Sequence, residues 1–160
     1  MDASRFAFYG LSYGGYTALW TGPGEPRFQV VISSGHFNDW NVKTTDLTQG
    51  TAYLLYFNVA DQYNFGMLGK FNHSDLASLI APRSFMVEKG DSDGVIVSPR
   101  SLVDREIEKV LDIYRKLGIP EKGGVSRFAG PHMVNGTGTF PFLDRCLNWN
   151  PLHQTSEANR

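Results

Sequence analysis

Arg5-Phe-Ala-Phe-Tyr-Gly-Leu-Ser-Tyr-Gly-Gly-Tyr-Thr-Ala-Leu-Trp20 is the stretch on which the reading of the whole chain turns. Phe6 to Tyr9 is a short apolar, aromatic-rich run with the composition of a buried strand. Gly10-Leu11-Ser12-Tyr13-Gly14 follows as G-x-S-x-G, and Tyr16 to Trp20 reads as the first turns of a helix. A strand that becomes a helix within a few residues forces the residue between them into strained geometry. Glycines two positions to either side are expected to remove Cβ atoms that would collide there. Such a turn lifts the Ser12 hydroxyl clear of the sheet and aims the Tyr13 backbone N–H at a developing oxyanion. The plainer alternative is a glycine-rich turn carrying an incidental serine. The strand before and the helix after favour the nucleophile.

Working outward, Thr21-Gly-Pro-Gly-Glu-Pro26 ends the helix, and Phe28-Gln-Val-Val-Ile-Ser33 has the β-branched composition of a strand buried on both faces. Strand, helix, strand predicts a βαβ unit and a parallel sheet. From 36 to about 72 no clean period survives, although Ala52 to Phe57 is apolar. A long irregular segment leaving the C-terminal end of a parallel strand predicts a cap over a pocket, with a surface excursion as the alternative. His36 and Trp40 then become candidate pocket residues.

Beyond it, Ser74 to Ile80 predicts a short helix capped by Asn72 or Ser74, and Arg83 to Glu88 a strand. Lys89-Gly-Asp-Ser-Asp-Gly-Val95 is an acidic turn. Ser98-Pro99 predicts the start of a helix whose stripe runs Leu102, Val103, Ile107, Val110, Leu111, Tyr114 and Leu117, with Gly118 as its stop. A strand at Gly124–Phe128, a loop Gly130–Gly136 and a helix over about Thr139–Trp149 complete the pattern. The polar tail 152–160 is expected to be disordered, leaving 1–151 as one domain.

Composition narrows the function classes. The 160 residues are 41% hydrophobic and 19% charged, with net charge -1, so nothing in the charge suggests a nucleic-acid partner. No apolar run approaches the roughly 20 residues of a membrane span, and the first residues lack a signal-peptide apolar region, which leaves the compartment open. The single cysteine, Cys146, allows no internal disulfide and reads as a structural thiol. No histidine, cysteine and glutamate spacing suits a metal, and no phosphate-binding glycine loop occurs, so neither metal nor cofactor is expected.

A serine hydroxyl needs a base and a group to orient it. Of the four histidines, His73 and His153 have polar surroundings and read as solvated surface residues, and His36 follows a strand. His132 sits in a glycine-flanked loop after the last strand, downstream of both serine and acid, and is the candidate base. Asp91 and Asp93 are both candidate acids. Their turn lacks the length and distal glutamate of an EF-hand loop.

These residues resemble the C-terminal part of an α/β-hydrolase. The similarity is greatest to acetyl xylan esterase-like enzymes of the dienelactone hydrolase group, and more distant to prolyl-oligopeptidase-type peptidases. It is carried by the Arg5–Gly15 elbow, by Ile80–Glu88 with Gly90-Asp-Ser-Asp-Gly94, and by Gly130-Pro-His132 with Gly138-Thr-Phe140 and Leu147-Asn-Trp149. The resemblance implies a parallel sheet with flanking helices and a triad of Ser12, Asp93 and His132, Asp93 being preferred to Asp91 on the family's spacing. It implies a small ester or acylated carbohydrate as substrate, with cleavage after proline as the alternative. It also places the nucleophile after the fifth strand of eight, so the earlier strands are absent, along with the loop that donates a second oxyanion N–H. A truncated, non-catalytic or weakly active fragment, either paired with itself through its exposed sheet edge or poorly soluble, is therefore a further expectation.

Overall fold

The computed structural model describes residues 5–49, 62, 66 and 68–149. Four strands form one parallel sheet in the order β1 (Phe6–Leu11), β2 (Phe28–Ser34), β3 (Ser84–Gly90) and β4 (Gly123–Phe128). Each pair is in parallel register, with Tyr9 opposite Ile32, Ile32 opposite Met86 and Met86 opposite Gly124. The helices are α1 (Tyr13–Gly24), α2 (Trp40–Thr45), α3 (His73–Ser78), α4 (Ser101–Lys116) and α5 (Thr139–Cys146).

The alternation of β2 and β3 explains the layering. Val31, Phe85 and Val87 face one way and pack on Ala18 and Leu19 of α1 and on Val103, Ile107, Val110 and Tyr114 of α4. Val30, Ile32 and Met86 face the other way and meet Phe142 of α5, with Cys146 partly buried beside them. Strands sandwiched like this cannot alternate polar and apolar residues, which is why β2 and β3 read as continuous apolar runs. Arg83 fixes the turn between α1 and β2: its guanidinium donates to the carbonyls of Gly22, Pro23, Glu25 and Phe28 at 2.7–3.3 Å.

Several boundaries move from their expected places. The last helix stops at Cys146 rather than Trp149. α3 starts at His73, capped by Asn72 in a reciprocal box with Asp75. α4 begins at Ser101, not at Ser98-Pro99, and Ser98 does not cap it. The reason is a tertiary contact: the Ser98 backbone is held by the Gln49 side chain, which accepts its N–H at 2.8 Å and donates to its carbonyl at 2.7 Å. Gly118, at φ 73°, ends α4 in the left-handed conformation expected of it. Within 36–72 the structure contains α2, which the sequence pattern missed, while Ala52–Phe57 lies outside the described residues. So do the tail 152–160 and His153. No described helix is long and apolar enough to cross a membrane.

Candidate active site

Ser12 stands between β1 and α1 with φ 59° and ψ -118°, a conformation that costs a non-glycine residue about 1–3 kcal/mol. It is held there from both sides. Its N–H donates to the Ser34 carbonyl at 2.9 Å, and its own carbonyl accepts the Tyr16 N–H at 3.0 Å. The glycine expectation holds for Gly10, where a Cβ would overlap the Gly14 carbonyl group, but needs correction for Gly14, where a Cβ would meet nothing within 4 Å. The second tight position is Gly15, whose Cβ would lie 2.8 Å from the Ser34 carbonyl oxygen and 2.9 Å from His36 Cβ. Tyr13 is the first residue of α1, so its N–H belongs to the helical turn that has no intrahelical acceptor.

The acid turn and the histidine loop are joined through their backbones. Asp91 N–H donates to the Phe128 carbonyl at 2.9 Å, and Ser92 N–H to the Gly130 carbonyl at 3.0 Å. Gly90 permits this crossing, because a Cβ there would overlap the Gly130 carbonyl. Asp93, 1% exposed, faces the imidazole: its Oδ2 lies 2.9 Å from His132 Nδ1, and its Oδ1 accepts the Val95 N–H at 2.8 Å. Asp91 is exposed. Arg100 tightens the turn by donating to the carbonyls of Asp93 (2.6 Å), Ile96 (2.7 Å) and Asp91 (3.3 Å). The ring rests on Gly35, at φ 60°, where a Cβ would stand 2.7 Å from His132 Cε1. Gly35 follows the residue whose carbonyl holds Ser12, so ring and serine share one strand end. Among the described residues no hydrogen bond joins Ser12 to His132.

His36 and Trp40 are only 1% and 2% exposed, which places them behind the elbow rather than on an open wall. His36 lies 5.0 Å from His73, 5.5 Å from Tyr16 and 6.2 Å from Trp40, measured between ring centres. Burial, then the charges of Lys43 and His132, lower the His36 pKa to about 3. His73 is the one clear surprise among the histidines: read as a surface residue, it is 1% exposed, and its Nδ1 accepts the Asn38 N–H at 3.0 Å. The packing of α2 and Trp40 over it supplies a cover that the local sequence could not reveal. Lys43 and Glu88 were also missed. Burial brings Lys43 down to about 8, with Asp93 opposing the shift and Arg100 adding to it. Glu88 is fully buried and accepts five hydrogen bonds.

Among the described residues no group of three or more His, Cys, Asp or Glu side chains could hold a metal ion. A cleft of about 590 Å³ between α1, α3 and α4 is lined by Trp20, Phe71, Asp75, Leu76, Ser78, Leu79 and Ile113, and not by Ser12, Asp93 or His132. Its walls are mostly apolar, and it is separate from the serine, the acid and the histidine.

The sequence model of the prolyl oligopeptidase family matches residues 1–103. No curated protein matches the chain. Solved structures of similar fold include a glucuronoyl esterase from Solibacter usitatus, at 20% identity and TM-score 0.66, covering 94% of this chain and 44% of that one. A glucuronoyl esterase from Sporotrichum thermophile gives 19% and 0.68, covering 93% and 45%. An acylaminoacyl peptidase from Pyrococcus horikoshii gives 18% and 0.54, covering 98% and 24%. The chain thus has the α/β-hydrolase fold and spans less than half the length of these structures.

Proposed function

The chain belongs to the prolyl oligopeptidase family, and from that premise we propose that it is a serine hydrolase that cleaves a carboxylic ester through Ser12, His132 and Asp93. The observation that carries this reading is the 2.9 Å hydrogen bond between buried Asp93 and His132 Nδ1. With Nδ1–H donated to the carboxylate, Nε2 is left as the basic nitrogen. Ser12 Oγ attacks the ester carbonyl carbon while Nε2 takes its proton. The carbonyl π electrons move onto oxygen, and the Tyr13 N–H stabilises that oxyanion. The tetrahedral adduct collapses, the imidazolium gives its proton to the leaving alcohol, and an acyl-Ser12 ester remains. Water, deprotonated by the same nitrogen, then releases the acid and restores the serine.

A small acyl ester on a carbohydrate is the substrate class that the resemblance favours, and carbohydrate esterases recur among the solved structures of similar fold. Peptide cleavage after proline is the second reading, favoured by the family match over 1–103. Acetyl and longer p-nitrophenyl esters, a methyl glucuronate ester and a proline-linked anilide separate the two. Ester turnover is expected, with Ser12→Ala or His132→Ala lowering kcat on the order of 10⁴ to 10⁶ and Asp93→Asn lowering it less. Turnover of the anilide alone would assign the peptidase reading instead. Turnover unaffected by Ser12→Ala would remove both.

A further inference from the structure

Glu88 lies on β3, two residues before the glycine that opens the acid turn, and is 0% exposed. No ion pair compensates it among the described residues; five donors do. Oε2 accepts from Tyr9 Oη at 2.6 Å, Ser34 Oγ at 2.8 Å and Asn135 N–H at 3.3 Å. Oε1 accepts from Thr139 Oγ1 at 2.7 Å and Gly136 N–H at 2.9 Å. Burial by itself raises the carboxyl pKa, but the bonds from Tyr9, Thr139, Gly136 and Ser34 outweigh it and hold the group below its ordinary value. A buried carboxylate without a cation is costly unless its acceptor sites are filled.

The donors are not scattered. Tyr9 lies three residues before Ser12. Ser34 offers its carbonyl to Ser12 and adjoins Gly35, on which the imidazole rests. Asn135 and Gly136 belong to the loop carrying His132, and Thr139 starts the helix that ends that loop. The Glu88 carbonyl also accepts the Gly35 N–H at 3.0 Å. We propose that Glu88 is a positioning residue: its ionised carboxylate ties the strand end bearing Ser12, the Gly35 seat and the His132 loop into one register, and so sets where the imidazole stands. This rests on the hydrolase reading above, but its principal readout does not depend on that reading.

The discriminating variant is Glu88→Gln. It keeps the shape and removes acceptor capacity from one side, because an amide NH₂ would then face donors. Two quantities are measured on the full chain: the downfield imidazole Nδ1–H proton resonance, assigned by its loss in Asp93→Asn, and kcat separately from KM on the best ester. Glu88→Gln is expected to broaden or abolish the resonance and to lower kcat by roughly 10²-fold, with KM changed little, since a displacement of about 1 Å is enough for that. A folded Glu88→Gln protein that keeps the resonance and retains kcat within about twofold would overturn the proposal. If the wild type shows no Ser12-dependent turnover, the hydrolase reading fails, and the resonance alone decides the role of Glu88. If Glu88→Gln does not fold, Thr139→Val deletes one donor while leaving the charge. A weakened resonance supports the proposal, and an unchanged one overturns it.

Discussion

Gly10, Gly14 and Gly15 crowd around Ser12 in sequence, yet an added methyl group would have different surroundings at each. At Gly10 it overlaps the Gly14 backbone, which cannot move without unwinding the first turn of α1. At Gly15 it stands 2.8 Å from the Ser34 oxygen that holds Ser12. At Gly14 it enters open space. Alanine at Gly10 or Gly15 is therefore expected to cost about 1–3 kcal/mol and to remove activity. Alanine at Gly14, inside a helix, should be neutral or slightly stabilising. Urea denaturation of the three variants checks this, and equal losses at all three would contradict it. Gly35→Ala is the finer probe. At φ 60° its side chain would press on the imidazole, so activity should fall by a larger factor than the equilibrium constant of unfolding.

At the scale of elements, β1 is distinctive because the sheet ends there: it pairs with β2 and, among the described residues, with nothing on its other side. An edge strand of composition Phe-Ala-Phe-Tyr invites a second copy. Sedimentation velocity of the isolated chain is expected to show concentration-dependent association, and a monomer at all concentrations would remove this edge as an interface. The strands were also the most legible part of the sequence. β2 and β3 are buried on both faces, so their apolar runs needed no knowledge of their neighbours. The elbow was legible because backbone strain has its own glycine signature. α2 was not, since its six residues carry no period and depend on a local cap, Asp39 Oδ1 accepting the Val42 N–H at 3.3 Å. The start of α4 was misread because a side chain 49 residues away claims the Ser98 backbone. Glu88 was invisible for the same reason: its five donors come from four separate segments, and nothing next to it in sequence announces them.

For the whole molecule, buried imidazoles and a buried amine set how stability responds to pH. His36 is held at about 3 by burial and neighbouring charge, and His73 is pushed well below 6.5 by burial and then by His36. Their folded values lie below the unfolded ones, so the unfolded chain binds more protons through that interval. Their contribution is complete above about pH 6.5 and is lost as pH falls toward 3. Glu88, with a lowered carboxyl pKa, adds loss in the same direction at the acid end. Lys43, lowered from 10.5 to about 8, makes stability rise again as pH climbs through that upper window. The urea midpoint is therefore expected to climb from about pH 5 to 7 and again above about pH 8. A midpoint flat from 5 to 7 would mean that these histidines are charged or exposed in the folded chain.

The bonds that gather on Glu88 also set an order in time. The Tyr9–Glu88 contact closes a loop of 79 residues, the Gly136–Glu88 contact one of 48, and the Asp93–His132 contact one of 39. Closures over such separations lose chain entropy before any contact rewards them, and parallel pairing adds no short hairpin to start from. Trp20 also lies against Tyr16 and Trp40 against His36, partners close to them in the chain, so part of their fluorescence can recover while the sheet is still incomplete. On dilution from urea, hydrolytic activity should return only with the slowest kinetic phase, after part of the tryptophan signal. Activity recovering in step with the earliest fluorescence change would show that the site assembles without its long-range ties.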